Sequence, residues 1–441
     1  MVDQKQGEGR DFRKVGRAFT REILVPIFLA LLVIQFVIQA FKIPSASMED
    51  SLLIGDFLLG LKFVYGAPIP FSHKKLPGIT DPKPGQVLIF RYPGDPAYPE
   101  DDKVRYRFLA NLFLFGNLYW DKHPAEGEKQ LVWYAPKDFI KRCVAQSGQT
   151  LRVADKQLFV GGKESPLPPK GKHMTFRGRD MQRDSLIYRL PAPGDVFDFD
   201  TLTLKDATWI RSLAWQENQG KRVELQLDLV KDSVVDNDYI MPYLNGDPEN
   251  RQHRIMYALL NLNPRSAFAD NVPYLTVENV PFKLIQDAAR TGFIRTNDLP
   301  LFSGVDPSDP EAMRKLRSGR RVENSDYFIG SNLELINQNV IGQGNAAGRQ
   351  YRIKPYLIID GVAVHKYAVK KKCYFMMGDN RDNSSDSRYW GLLSQDFVKA
   401  KAFIIYFSLD DEEGDIRLRD PFTWLKAPFR IRWTRIGKLI H

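Results

Sequence analysis

The chain has 441 residues, 43% hydrophobic, 12% aromatic and 26% charged, a balance that excludes a disordered chain, a collagen, a coiled coil and a fully membrane-embedded protein. Lys and Arg outnumber Asp and Glu by 63 to 53, a net charge of +10, which points to an acidic partner, either nucleic acid or the anionic face of a membrane. Two cysteines, Cys143 and Cys373, are too few for a disulfide framework or a four-ligand metal site, and the sequence leaves open whether they pair.

Residues 1–22 carry Arg10, Arg13, Lys14, Arg17 and Arg21, and the run 23–41 (ILVPIFLALLVIQFVIQAF) has no charge. At about 1.5 Å per residue, a helix over 23–41 reaches nearly 30 Å, one hydrocarbon core. These cations precede it and only Lys42 follows closely, so the positive-inside rule leaves 1–22 in the cytoplasm and the rest outside. The competing reading is a cleaved secretory leader, with Ser45, Ala46 and Ser47 imitating a cleavage site. The apolar run exceeds the ~7 to 15 residues usual for such leaders, which favours an uncleaved anchor.

Beyond the anchor, short β-branched and aromatic runs at 85–90 (GQVLIF), 138–144 (DFIKRCV) and 150–160 (TLRVADKQLFV) alternate with Gly, Pro and Asp turns, which predicts strands over 42–164. The stretch 165–351 differs. It opens with SPLPPKGKH, carries more charge and holds helix-like segments such as 311–320, so it reads as an insertion. Strand signals resume at 356–369 (YLIIDGVAVHKYAV), with a turn at Asp360 and Gly361, and at 401–409 (KAFIIYFSL). Strands of 42–164 and 352–420 are expected to pair into one β domain. The end of the chain, 421–441, interleaves Trp424, Phe429, Trp433 and Ile436 with Lys426, Arg430, Arg432, Arg435 and Lys438 and has no acid. Such a composition suits a lipid headgroup layer or nucleic acid, and the anchor at the other end favours the membrane.

Three segments carry chemistry. Directly after the apolar run, Pro44 turns the chain and presents Ser45 and Ser47 in PSASM, followed by Ile54-Gly55-Asp56. A serine hydroxyl is a poor nucleophile until a base takes its proton, yet none of the six histidines stands in a motif-like setting. The other candidate base is Lys141 in FIKRCV, a lysine inside an apolar strand pattern. Burial can lower its pKa from about 10.4 toward neutrality; a lysine guarding the solvent face of an edge strand fits the same stretch. The third segment is 378–391, GDNRDNSSDSRYWG. It fails as an EF-hand because Arg381, Ser384 and Trp390 occupy calcium-loop positions 3, 6 and 12, which leaves a polar network that orients other groups.

PSASM with IGD, FIKR and GDNRDNSSDSRYWG, in that order behind an amino-terminal anchor, resemble bacterial type I signal peptidase, or leader peptidase. The resemblance covers about 41–160 and 356–409. It implies a mainly β protein: an antiparallel β catalytic domain of the signal peptidase type with an inserted α+β region, behind one N-terminal transmembrane helix. It implies a membrane-anchored serine endopeptidase with Ser47 as nucleophile and Lys141 as general base. Ser45 and the backbone N–H of Ser47 would form the oxyanion hole, and Ser384 would hydrogen-bond and orient the lysine. Asp386, Arg388, Arg142 and Asp379 would support that network, while Ile43 and Ile140 would line the pockets for the small residues before the scissile bond.

No cofactor and no metal are implied. The partners implied are signal-peptide-bearing pre-proteins and the phospholipid bilayer, with the secretion machinery as a further candidate and no nucleic acid. The location implied is the bacterial cytoplasmic (inner) membrane, single-pass, amino terminus inside and catalytic domain in the periplasmic or extracytoplasmic space. A catalytically silent homologue serving as an envelope or secretion scaffold is the alternative. The family often has Pro-Thr where this chain has Asp50-Ser51, and Gly-Asp where it has Gly85-Gln86 and Gly148-Gln149; these departures concern local turns.

Overall fold

The computed structural model describes residues 20–70, 72, 74–93, 103–107, 132–154, 156–173, 186–231, 234–235, 240–242, 279–281, 286, 293–294, 327–328, 351–410 and 430–440. The expectations for 1–19, for the helix-like 311–320 and for Trp424, Lys426 and Phe429 fall outside the described residues.

The apolar run is not one helix. A π-helical turn, Thr20–Leu24, leads into helix α1, Val25–Phe36, with Pro26 in its first turn, where a missing N–H costs nothing. The helix stops at Phe36, and Ile38–Lys42 forms strand β1. The expected helix over 23–41 is therefore corrected at its carboxyl end. The physical reason is that 38–42 finds a ladder partner in β2, Asp56–Leu61, from Ile38 opposite Leu61 to Lys42 opposite Phe57. In the strand, Phe41 also enters a core with Ile43, Leu58 and Ile89. The last turn of α1 is tied down by Lys62, whose Nζ donates to Ile34 O at 3.0 Å and Gln35 O at 3.2 Å, a cation on the carbonyl end of the helix. Among the described residues no helix is long and apolar enough to cross a membrane.

The site rests on one seven-stranded antiparallel sheet. With β3 as Val87–Arg91, β4 as Asp138–Gln146, β5 as Cys373–Met377, β6 as Leu393–Ser394 and β7 as Val398–Ser408, the order is β1-β2-β7-β3-β4-β5-β6. Strands from before and after the expected insertion thus interleave. The run 150–160 is a hairpin, Thr150–Ala154 with Gln157–Val160, in a second four-stranded sheet. Tyr351–Ile359 turns back at Asp360 and Gly361 as expected, but its long partner is Val223–Lys231, from within 165–351.

The same is true of helix α2, Leu204–Glu217. Thr203 caps it, its hydroxyl oxygen accepting from Asp206 N at 3.1 Å. Trp209, Ile210 and Leu213 share one core with Phe90, Phe375 and Trp390 of the main sheet region. Gln216 fixes the register, donating to Leu392 O at 2.8 Å and accepting from Ser394 N at 2.7 Å. Residues 186–231 are therefore bound into the β core, which only their long-range partners reveal.

The departures at Gly85-Gln86 and Gly148-Gln149 have a simple resolution. Asp195 in Pro193-Gly194-Asp195 accepts from Ala192 N at 2.8 Å. Gln86 accepts from Lys83 N at 2.9 Å and Gln149 from Gln146 N at 2.9 Å. The glutamine carbonyl makes the same backward contact as the aspartate, and all three glycines stand at positive φ.

The described part of the end segment, 430–440, lies along β7. Bridges join Leu409 to Ile431 and Ile404 to Leu439. Trp433 points outward, 69% exposed, but Arg435 turns inward and is 7% exposed. Its guanidinium clasps Asp56, Nη2 to Oδ2 at 2.6 Å, and donates to Ser51 O at 3.0 Å.

Candidate active site

Strand β1 runs directly into Ile43, Pro44 and Ser45, and Ala46–Met48 forms one 3-10 turn anchored by buried Met48. That turn carries Ser47 to the edge of β4. Lys141, opposite Leu88 in the β3–β4 register, reaches over from β4, and its Nζ lies 2.7 Å from Ser47 Oγ. The same nitrogen donates to Ile140 O at 3.2 Å and stands 5.2 Å from the ring of Phe139. Only 4% of the lysine is exposed. Burial lowers its pKa from 10.5 to about 8, against the opposing pull of Asp386 and then Asp379. The edge-strand alternative for Lys141 is removed, because β4 is paired on both sides, with β3 and β5, and the lysine is buried.

Ser45 Oγ stands 3.4 Å from Ser47 Oγ. Ile43 is buried, and Ile140 packs against the cluster that holds it, so the two residues expected at the small-residue pockets share one apolar patch beside the hydroxyl.

The loop after β5 closes the site from behind. A Cβ on Gly378 would stand 2.5 Å from Ser47 O and 2.2 Å from Ser384 Oγ, so only glycine admits the close approach. Asn380 then donates its N–H to Ser47 O at 3.2 Å and its side-chain amide to Ala46 O at 3.2 Å. Asp379, fully buried, accepts from Arg142 Nε at 2.9 Å and Nη2 at 2.7 Å and from Ser51 Oγ at 2.6 Å. Asp386 accepts from Arg388 Nε and Nη2, both at 2.9 Å, and from Gly378 N at 3.0 Å. Burial alone would raise the Asp386 pKa; the guanidinium of Arg388 and the hydrogen bonds overcome it and hold the carboxyl ionised below the usual range. Both carboxylates are thus engaged by arginine rather than open to a cation.

Ser384 departs from expectation. It does not hydrogen-bond Lys141, whose donors go to Ser47 and to the Ile140 carbonyl. Its Oγ is buried against Gly378, beside the Asp386 carboxyl that it helps to hold ionised. Asp50, where the family often has Pro, stands at φ 71, which the proline ring cannot adopt. The cysteines are both buried and free. Cys143 pairs with Met376, while Cys373 lies beyond Phe375 and Tyr374 on the same strand, roughly 10 Å along the ladder at about 3.3 Å per residue. A disulfide needs Cα atoms within about 7 Å.

Sequence reasoning missed Asn380 as a contact of Ser47, the Arg435–Asp56 pair, and Lys172, whose amine sits 3.0 Å from Glu49 Oε2 and 3.1 Å from Asp50 Oδ2. Asn380, Asp56 and Arg435 lie within segments already singled out, but nothing local pairs them with these partners, and nothing local marks Lys172.

A family model described as signal peptidase, peptidase S26 matches residues 17–241 and 315–407. Signal peptidase I of Haemophilus influenzae is 33% identical over 90% of this chain and 71% of its own length, and that of Aquifex aeolicus 22% identical over 95% and 98%. Signal peptidase I of Pseudomonas fluorescens is 38% identical over 22% of this chain, a stretch spanning 37% of that relative's length. The chain belongs to the peptidase S26 family of signal peptidases. The internal unmatched stretch, 242–314, falls inside the expected insertion, whereas α2 and Val223–Lys231 lie in the matched part.

Proposed function

We propose that the protein is a membrane-anchored serine endopeptidase that removes signal peptides from exported pre-proteins, cutting after small residues at the −3 and −1 positions. The observation that carries this reading is the buried Lys141 Nζ at 2.7 Å from Ser47 Oγ. In its neutral form the amine accepts the Ser47 proton as Oγ attacks the scissile carbonyl carbon. The negative charge that develops on the carbonyl oxygen is met by the Ser47 N–H and the Ser45 hydroxyl. The lysine then returns the proton to the departing amine, which leaves an acyl group on Ser47. Water loses a proton to the same amine and adds to the acyl carbon; the bond from that carbon to Oγ then breaks, the lysine returns the proton to Ser47 Oγ, and the signal peptide leaves with a free carboxyl end.

Lys141 must stay dry and oriented for this to run at neutral pH, and its Phe139 wall and the Arg142–Asp379 and Arg388–Asp386 pairs supply that setting. Small apolar pockets beside Ile43 and Ile140 would exclude bulky side chains by sterics. Membrane anchoring is supported by α1, which leaves Ile27, Phe28, Leu29 and Val33 exposed, an apolar surface that water alone does not cover. A site joined to that helix through β1 meets substrates that carry an apolar helix of their own. With this anchor the catalytic domain would lie on the outer face of the cytoplasmic membrane.

The test is to incubate Ser47→Ala, Lys141→Ala and the unmodified protein with a signal-peptide-bearing pre-protein in detergent and to sequence the new amino terminus. Both variants should stay folded and fail to cut. Near-normal turnover by either removes the pair from its proposed roles, and a folded, unmodified protein that never cuts would favour a silent scaffold.

A further inference from the structure

We propose that Lys172 is a positioning residue that clamps the loop carrying Ser47 onto the 378–383 loop; the proposal rests on Ser47 being the nucleophile. The backbone of Lys172 is bolted to the second loop: its N–H donates to Asp379 O at 3.0 Å, and its carbonyl accepts from Arg381 N at 3.0 Å. A parallel bridge pairs it with Asn380. Its side chain reaches the first loop, with Nζ 3.0 Å from Glu49 Oε2 and 3.1 Å from Asp50 Oδ2. Asn380 completes the joint by donating to Glu49 Oε2 at 3.1 Å and, through its N–H, to Ser47 O at 3.2 Å.

The loop needs such a clamp for two reasons. Glu49 and Asp50 are adjacent carboxylates that repel one another, and Asp50 stands at φ 71, a left-handed conformation that a residue with a Cβ holds only when its surroundings enforce it. Lys172 supplies the one ammonium that reaches both acids in the described structure. The three side chains are each a third or more exposed, at 33%, 36% and 50%, so the contact is too wet to govern the stability of the whole fold. What it governs is where the turn after Ser47 sits, and a misplacement of about 1 Å at a reacting centre can cost about 100-fold in rate. Nothing in the sequence pattern marks Lys172, which stands in the Pro- and Lys-rich stretch read as the opening of an insertion.

The experiment compares Lys172→Met, Lys172→Arg and the double variant Glu49→Gln, Asp50→Asn with the unmodified protein and with Ser47→Ala. The readouts are kcat, KM, thermal midpoint, and the rate of covalent labelling by a serine-directed acylating reagent. Lys172→Met is expected to lower kcat by about 10-fold or more with KM and midpoint nearly unchanged, to slow labelling in step, and to be largely restored in Lys172→Arg. Raising the salt to about 1 M, where the screening length falls to about 3 Å, should slow the unmodified protein and leave Lys172→Met unaffected. Wild-type kcat in Lys172→Met, or equal loss in Lys172→Arg, overturns the clamp. Should Lys172→Met fail to fold, the double variant is judged by the same criteria, full kcat again overturning it. An active Ser47→Ala would overturn the underlying assignment instead, so the two failures are told apart.

Discussion

Acidification should silence the protein by protonating Lys141, and the structure sets both the midpoint and the size of the effect. With the amine at about 8, roughly 9% of the protein holds neutral lysine at pH 7; an unperturbed lysine near 10.5 would hold about 0.03%, so burial raises the competent fraction about 300-fold. The assay is kcat/KM on a peptide with Ala at the −3 and −1 positions, from about pH 6 to about pH 10, which reports groups of the free enzyme. It should rise with unit slope and bend near 8. The same shift has a stability consequence of known sign. Below about pH 8 folded and unfolded states both carry the charged amine, and burying it costs about 3 kcal/mol, the drop from 10.5 to about 8 at about 1.4 kcal/mol per pH unit. Between about 8 and 10.5 only the unfolded chain keeps the proton, so the penalty fades as pH rises. Lys141→Met should therefore be inactive yet up to about 3 kcal/mol more stable to urea at pH 7, with the gain shrinking toward pH 10. A limb centred near 10.5, a flat profile, or a methionine variant whose gain over the unmodified protein is no larger at pH 7 than at pH 10 would refute the dry-amine argument.

Ser45→Ala, which removes one donor near the position the oxyanion would occupy, should lower kcat by about 10² to 10³ with little change in KM; an unaltered kcat excludes that role. Arg435→Met strips the cationic partner from a fully buried Asp56 and should destabilise by about 3–5 kcal/mol in chemical denaturation, while Arg432→Met, which removes a pair to the 55% exposed Asp410 and a hydrogen bond to Ile54 O, should cost about 1–2 kcal/mol. Equal losses would mean that Arg435 is no more than another surface cation.

Much of the site was legible because its motifs are local. A hydroxyl after a Pro turn, a lysine in an apolar strand and a long run of short polar residues are each ambiguous alone, and their order along the chain carried the family resemblance. Geometry assigned their partners. No hydrogen bond joins the Ser384 hydroxyl, expected on the lysine, to the amine, which instead contacts Ser47 Oγ and the Ile140 carbonyl. The helix was read five residues too long because hydropathy does not distinguish a buried strand from a buried helix, and only the β2 ladder favours the strand at 38–42. Residues 186–231 looked foreign because α2 buries its apolar side chains against Phe375 and Trp390, and nothing within α2 names them.

The sequence by itself determined the mainly β class and the order of the motifs, since these follow from composition and from residues a few positions apart, while the pairing of Ser47 with Lys141, 94 positions away, came from the family resemblance. Tertiary structure alone decided that the lysine is dry, that Arg435 of a basic tail points inward to Asp56, and that Lys172 reaches back to the acids after Ser47. Burial and ion pairing depend on what the folded chain brings close, and Arg435 and Asp56 lie 379 positions apart in the sequence.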